Sequence, residues 1–212
     1  QEPNLYGIGT TPSFAIGQRA LLVQTEEGNL LWDSISLLDE ETITAVNNLG
    51  GIQAIAVSHP HFYSSAVEWA KTFDAPLYLH ANDKEHVMRP DPIIQFWDRD
   101  SKELFGNLTL IKTGGHFDGS TVLHWPAAAG GKGAFFTADA LMVASDRRHV
   151  SFMWSYPNYI PLAPSKVKQV VTAVGPYEYD RIYSAWWDKI IVDEAKTAVS
   201  ISAERYLMAI EE

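Results

Sequence analysis

The six residues I-Q-A-I-A-V, Ile52 to Val57, constrain this chain most. They form an apolar run rich in β-branched residues, of the kind found in a strand covered on both faces, and such a strand needs helices around it. Helical spacing is present on both sides. Ile43, Val46 and Leu49 recur at helical intervals between Asp39 and Leu49, and Val67, Ala70 and Phe73 do so between Ser64 and Phe73. A further strand is expected at Pro76 to His80. Upstream, A-L-L-V-Q-T (Ala20 to Thr25), E-E-G-N and L-L-W-D (Leu30 to Asp33) read as a hairpin with the Gly-Asn pair at its turn.

The second half repeats the mixture. Strands are expected at Leu108 to Ile111, Ser120 to Trp125 and Gly133 to Ala138, parted by glycine-rich turns. Then come a helix at Ser165 to Val174, a short strand at Arg181 to Tyr183 and a helix at Asp193 to Ile210. The intervening stretch, Met142 to Pro161, shows no periodicity and reads as an irregular functional loop, a lid or substrate wall. With 212 residues, 46% hydrophobic and 20% charged, the chain is expected to form one domain over residues 1–212.

Charge excludes some functions. Sixteen basic against 26 acidic residues leave a formal net charge of −10, with no basic cluster to follow a phosphate backbone, so nucleic acid is not the expected partner. No apolar run approaches the roughly 18–20 residues that span a bilayer, so no membrane partner is expected and the default expectation is a soluble, cytoplasmic protein. There is no cysteine, hence any metal must be held by His, Asp, Glu or hydroxyl groups.

Such groups cluster at strand ends. S-H-P-H-F-Y-S-S (residues 58–65) directly follows the buried run, and extended alternation would put His59 and His61 on one side, with Pro60 stiffening the backbone between them. T-G-G-H-F-D-G-S-T (Thr113 to Thr121) sets His116 beside glycines that permit close backbone approach to an ion. F-F-T-A-D-A ends a buried run with Asp139, a ligand or a cap.

In this order, H-x-H, then G-G-H-x-x-G-S, then an apolar strand ending in Asp, the chain resembles the metallo-β-lactamase-fold hydrolase superfamily over nearly its whole length. The resemblance implies a mixed α/β (α+β) fold, a four-layer αββα sandwich. It also implies metal ligands at His59, His61, His116 and Asp139. Where the family's motif continues with Asp and His, this chain has Tyr63 and Ser64, and where a last histidine is expected it has Ser184-Ala185-Trp186-Trp187. One zinc ion is therefore expected, with iron or manganese as alternatives, because tyrosine and serine are poor ligands for a second divalent ion.

The implied function is a metallo-hydrolase that attacks a small ester, lactone or thioester with zinc-bound water, Asp139 and Tyr63 being its catalytic residues. Tyr63 would hydrogen-bond the water or a developing oxyanion, or else fill the vacated second-metal space. Two alternatives remain: a non-catalytic ligand-binding member of the fold, and a metal-dependent lyase or iron enzyme. Arg147 and Arg148 are either a clamp for a substrate carboxylate or a solvated pair. Trp154, Tyr156 and Tyr159 either wall a pocket or plug the loop, and Trp186 with Trp187 occupies the second-metal space or packs in the core. Asp118 is read as a turn residue, His124 as structural and His149 as a pocket-rim residue, while His80 and His86 are not assigned to the metal.

Overall fold

The computed structural model describes residues 2–210. They form two compact units, one ending at Asp98 and one starting at Arg99, each built on a six-stranded sheet. In the first unit, β1 (Leu5–Ile8), β2 (Ala20–Thr25) and β3 (Gly28–Trp32) make an antiparallel meander. Beyond β3 the sheet is parallel, through β4 (Ala54–Ala56), β5 (Leu77–His80) and β6 (Ile94–Trp97). Parallel neighbours need crossovers, and α1 (Glu40–Asn48) and α2 (Ala66–Thr72) supply two of them. The central position of β4, with Ala54, Ile55 and Ala56 all buried, accounts for the apolar run that dominates the sequence.

Local chemistry sets the element ends. Asp39 caps α1 by accepting from the Thr42 N–H at 2.8 Å, and Glu40 and Glu41 favour its N-terminal dipole. The α2 helix is shorter than its apolar spacing predicts, and the residue that anchors it, Trp69, falls outside the expected stripe: fully buried, it donates its indole N–H to the Ile35 carbonyl. The β2–β3 hairpin also differs in its turn. Glu26 and Glu27 form the turn and Gly28 begins β3, paired with Thr25, at a position where a Cβ would lie 2.9 Å from that of Gln53.

In the second unit, β7 (Ser101–Glu103), β8 (Thr109–Lys112), β9 (Thr121–Trp125) and β10 (Ala134–Phe136) run antiparallel, with the single turn α3 (Ala128–Gly131) before β10. Between β10 and its parallel neighbour come two small hairpins, β11 (Met142–Val143) with β12 (Val150–Ser151) and β13 (Met153–Ser155) with β14 (Ile160–Pro161). Helix α4 (Pro164–Val174) follows, then β15 (Arg181–Tyr183), paired to β10, the edge strand β16 (Ile190–Ile191) and helix α5 (Ala195–Ile210). Phe135, Phe152, Val167, Val170, Ile182 and Val199 belong to one buried cluster, which joins sheet, hairpins and both helices.

The hairpins correct the expectation of an irregular stretch from Met142 to Pro161. Strands of two or three residues are too short to register as alternation, and the β13–β14 pair is broken by a register shift. Buried Val143, Val150 and Phe152 nevertheless tie the stretch to the core. Strands β1, β6, β7 and β16 also lack a signal in the sequence; β1 and β7 are largely exposed edges without an apolar run. His124 is structural, as expected: its Nε2 donates to the Glu178 carbonyl at 2.8 Å, and burial holds its pKa below the usual histidine range. No helix among the described residues is long and apolar enough to cross a membrane.

Candidate metal centre

In the first unit, the ends of β3 and β4 are locked together. The Asp33 N–H donates to the Ala56 carbonyl at 2.9 Å, and the Asp33 carboxylate accepts from the Ser58 N–H at 2.7 Å. Asp33 is buried and adopts φ 60°, a left-handed conformation that aspartate tolerates better than most residues. This clamp presents His59, which is 1% exposed. Pro60 then opens a 3-10 turn, Pro60–Phe62, at the position where its fixed φ and missing N–H cost least. The two histidines are thus brought together by a turn rather than by strand alternation. Phe62 is buried and packs edge-on against the His59 ring, its centroid 4.6 Å away.

The result is a convergent pair. His59 Nε2 and His61 Nδ1 lie 3.2 Å apart, with His61 on the exposed side. Ser58 Oγ is 2.8 Å from His59 Nδ1, so it accepts from that nitrogen in the tautomer that leaves Nε2 bare.

In the second unit, His116 and Asp139 form a pair of their own. His116 lies in the loop after β8, which is closed by N–H groups of Thr113 and Gly114 donating to the Ser120 carbonyl. Its Nδ1 lies 2.9 Å from the Met153 carbonyl, which only accepts; Nδ1 therefore carries a proton, and in the neutral ring Nε2 has the lone pair. Asp139 follows β10, and its carboxylate Oδ2 is 3.6 Å from His116 Nε2. Both residues are 7% exposed. Tyr156 donates from its hydroxyl to the Asp139 carbonyl at 3.0 Å and approaches the Ser151 carbonyl at 3.3 Å, and Ser184 donates to the Ala138 carbonyl at 3.1 Å.

The glycines of this loop answer to a different neighbour than the sequence implies. Gly115 has φ 88°, and a Cβ there would stand 2.8 Å from Val170 Cγ2 and 3.1 Å from Leu162 Cδ1, so the close approach is to α4. Gly115→Ala is accordingly expected to destabilise the protein by about 2 kcal/mol or more through strain and overpacking together, measured as a shift of the urea midpoint at unchanged slope.

His59, His61, His116 and Asp139 make up a His/His/His/Asp group that could hold a metal ion. The donor set fits one. Ligands at about 2.0–2.1 Å from a tetrahedral ion stand about 3.3 Å apart, close to the separation within each pair. Two of the three imidazoles also have the other ring nitrogen engaged by an outer partner. Tyr156→Phe removes the hydroxyl that steadies the Asp139 backbone, and it is expected to weaken metal affinity about tenfold, read by competition with a chromogenic chelator, at a stability cost of about 1–2 kcal/mol.

The remaining predicted residues divide by environment. Tyr63, at the end of the His61 turn, is half-buried, and burial followed by the negative charges of Asp83 and Asp33 pushes its hydroxyl well above the usual tyrosine range. Ser64 is exposed. Asp118 pairs with Lys166 at 3.0 Å on the surface. Arg147 and Arg148 are exposed in the turn between β11 and β12, where His149 pairs with Asp146 at 2.6 Å. Trp154 is 60% and Tyr159 85% exposed, whereas Tyr156 packs beside the His116 ring. Trp186 is half-buried and Trp187 is 50% exposed, so core packing does not account for Trp187. His80 is buried against Trp97, with Nδ1 accepting from the Asn82 N–H, and His86 is exposed beside Glu85.

Sequence reasoning missed Asp33, Ser58 and Met153. Asp33 carried a usable signal, since L-L-W-D ends an apolar run with an acid as F-F-T-A-D does. Met153 acts through its backbone carbonyl, which leaves no trace in residue type.

No family model matches the sequence. A relative in Bacillus subtilis, the "uncharacterized protein YmaE", is 49% identical over 210 residues, covering 99% of this chain and 76% of the relative. Among solved structures, DIM-1 metallo-β-lactamase aligns at TM-score 0.68 with 16% identity, over 97% of this chain and 100% of that one. A B3 metallo-β-lactamase with an active-site glutamic acid aligns at 0.64 with 18% identity, over 98% and 87%. TTHA1623, in a di-iron-bound form, aligns at 0.61 with 19% identity, over 86% and 92%. The likenesses to solved structures agree with the two mixed α/β units. The chain therefore belongs to one family with YmaE and has the metallo-β-lactamase fold.

Proposed function

We propose that the protein is a single-metal hydrolase of small esters, lactones or thioesters, with one ion, zinc first, held by His59, His61, His116 and Asp139. The observation that carries this reading is the His/His/His/Asp donor set, two of whose rings have an outer contact at Nδ1: Ser58 Oγ at His59 and the Met153 carbonyl at His116. When bound, the ion supplies Lewis acidity, lowering the pKa of water to about 7 and drawing electron density from a carbonyl.

The chain's own groups do the rest. Ser58 and the Met153 carbonyl fix two imidazoles, and the Tyr156 hydroxyl steadies the Asp139 backbone. Tyr63 keeps its proton at any physiological pH, because burial and two nearby carboxylates disfavour the phenolate, so it is available as a hydrogen-bond donor to an oxyanion. A neutral tyrosine and an exposed serine where relatives of this fold place ligands support one ion rather than two. The net charge of −10 supports a small, uncharged or weakly charged substrate over a polyanion.

The test is elemental analysis of untagged protein, followed by a panel of esters, lactones and thioesters before and after chelation. About one zinc per chain, with turnover lost on chelation and restored by zinc, is the expected result. A protein with no metal and no turnover would instead be a ligand-binding member of the fold, and one that binds iron would direct the search to lyase or oxygen chemistry.

A further inference from the structure

We propose that the second unit carries a separate pocket for a small organic acid with an apolar body. The pocket is a cavity of about 460 Å³ beside α5, within the range of about 300–1,000 Å³ usual for small-molecule sites. Its wall combines apolar Val150, Met153 and Ile210 with polar Arg205, Asp146 and His149. None of these is a member of the His/His/His/Asp group, so the pocket does not depend on a metal.

Charge identifies the ligand's head. The Asp146 carboxylate is already satisfied within its own turn: it accepts the N–H groups of Arg148 and His149 at 3.0 and 3.2 Å and meets His149 Nδ1 at 2.6 Å. Those contacts, the Arg148 N–H foremost, hold its pKa down at about 2. The Tyr206 hydroxyl is engaged with the Met153 sulfur at 3.2 Å. Arg205 is different. Among the described residues it has no ion pair, in a chain where acids outnumber bases by ten. A guanidinium exposed at the rim of an apolar pocket, with no ion pair among the described residues, matches a carboxylate, whose two oxygens fit its fork, and the aliphatic wall takes the body of the same molecule.

Decanoate is a suitable probe, used below its micelle concentration on chelator-treated protein so that coordination to a metal cannot contribute. Calorimetric titration is expected to show saturable binding. Arg205→Ala should weaken it about tenfold or more, and decanol should bind wild-type protein more weakly by a similar factor. Ala209→Trp, which places an indole at the cavity wall, should remove binding while the thermal melt stays cooperative. Absence of saturation, an affinity unchanged in both variants, or decanol binding as well as decanoate would each overturn the proposal. Because the protein is metal-free throughout, such a failure leaves the hydrolase reading untouched, and a failed ester panel leaves the pocket untouched.

Discussion

Replacing His116 with alanine is expected to abolish stoichiometric metal binding while leaving the fold in place. Its Nε2 lies 3.6 Å from the Asp139 carboxylate, and the Met153 carbonyl accepts from its Nδ1, so Nε2 is the nitrogen offered to an ion. Loss of a ligand costs more than loss of an outer partner, which is worth about 10–100-fold in affinity. The expected reduction therefore exceeds that range. The structural cost is smaller: the hydrogen bond to the Met153 carbonyl and the ring's packing on Phe117 and Tyr156 together are worth about 1–3 kcal/mol against a stability of about 5–15 kcal/mol. Elemental analysis beside a urea melt separates the two effects. A variant that keeps one ion per chain would place the metal somewhere other than this group.

The second large effect is expected at Asp33. Asp33→Ala removes the acceptor of the buried Ser58 N–H and puts alanine at φ 60°. An orphaned buried donor costs about 1–3 kcal/mol, and the left-handed backbone adds roughly 1 kcal/mol more. A loss of about 2–4 kcal/mol is expected in the urea midpoint. Because Ser58 precedes His59 and contacts its Nδ1, metal affinity should fall as well. Asp33→Asn retains a side-chain oxygen and tolerates the same backbone, so it should recover most of the stability. If alanine and asparagine behave alike, the Ser58 hydrogen bond is not what the carboxylate contributes.

The elements legible in the sequence are those whose burial is uniform. The apolar run before His59 is a central parallel strand, and the spacing around Val167, Val170 and Val174 marks a helix that buries one face. The short hairpins between Met142 and Pro161 were illegible because their pairing is decided by Phe152 and Val150 meeting the core, not by any alternation of their own. The expected end of the metal motif, where Tyr63 and Ser64 stand, was readable as a departure, since residue type alone decides whether a side chain can ligate a divalent ion.

By itself the sequence supplied candidate donors, three histidines and an aspartate at the ends of apolar segments with no thiolate, and the family resemblance is what implied that they form one set. The sequence also determined that strands and helices alternate, because hydrophobic periodicity is a local property. Only the tertiary structure decided how the donors are held. His59 meets His61 through a proline-led turn instead of strand alternation, His116 takes its tautomer from a backbone carbonyl 37 residues away, and Gly115 is glycine because α4 passes beside it. Such facts depend on contacts between segments distant in the chain, and a hydrogen bond to a carbonyl or a Cβ that would collide leaves no pattern in the neighbouring residues.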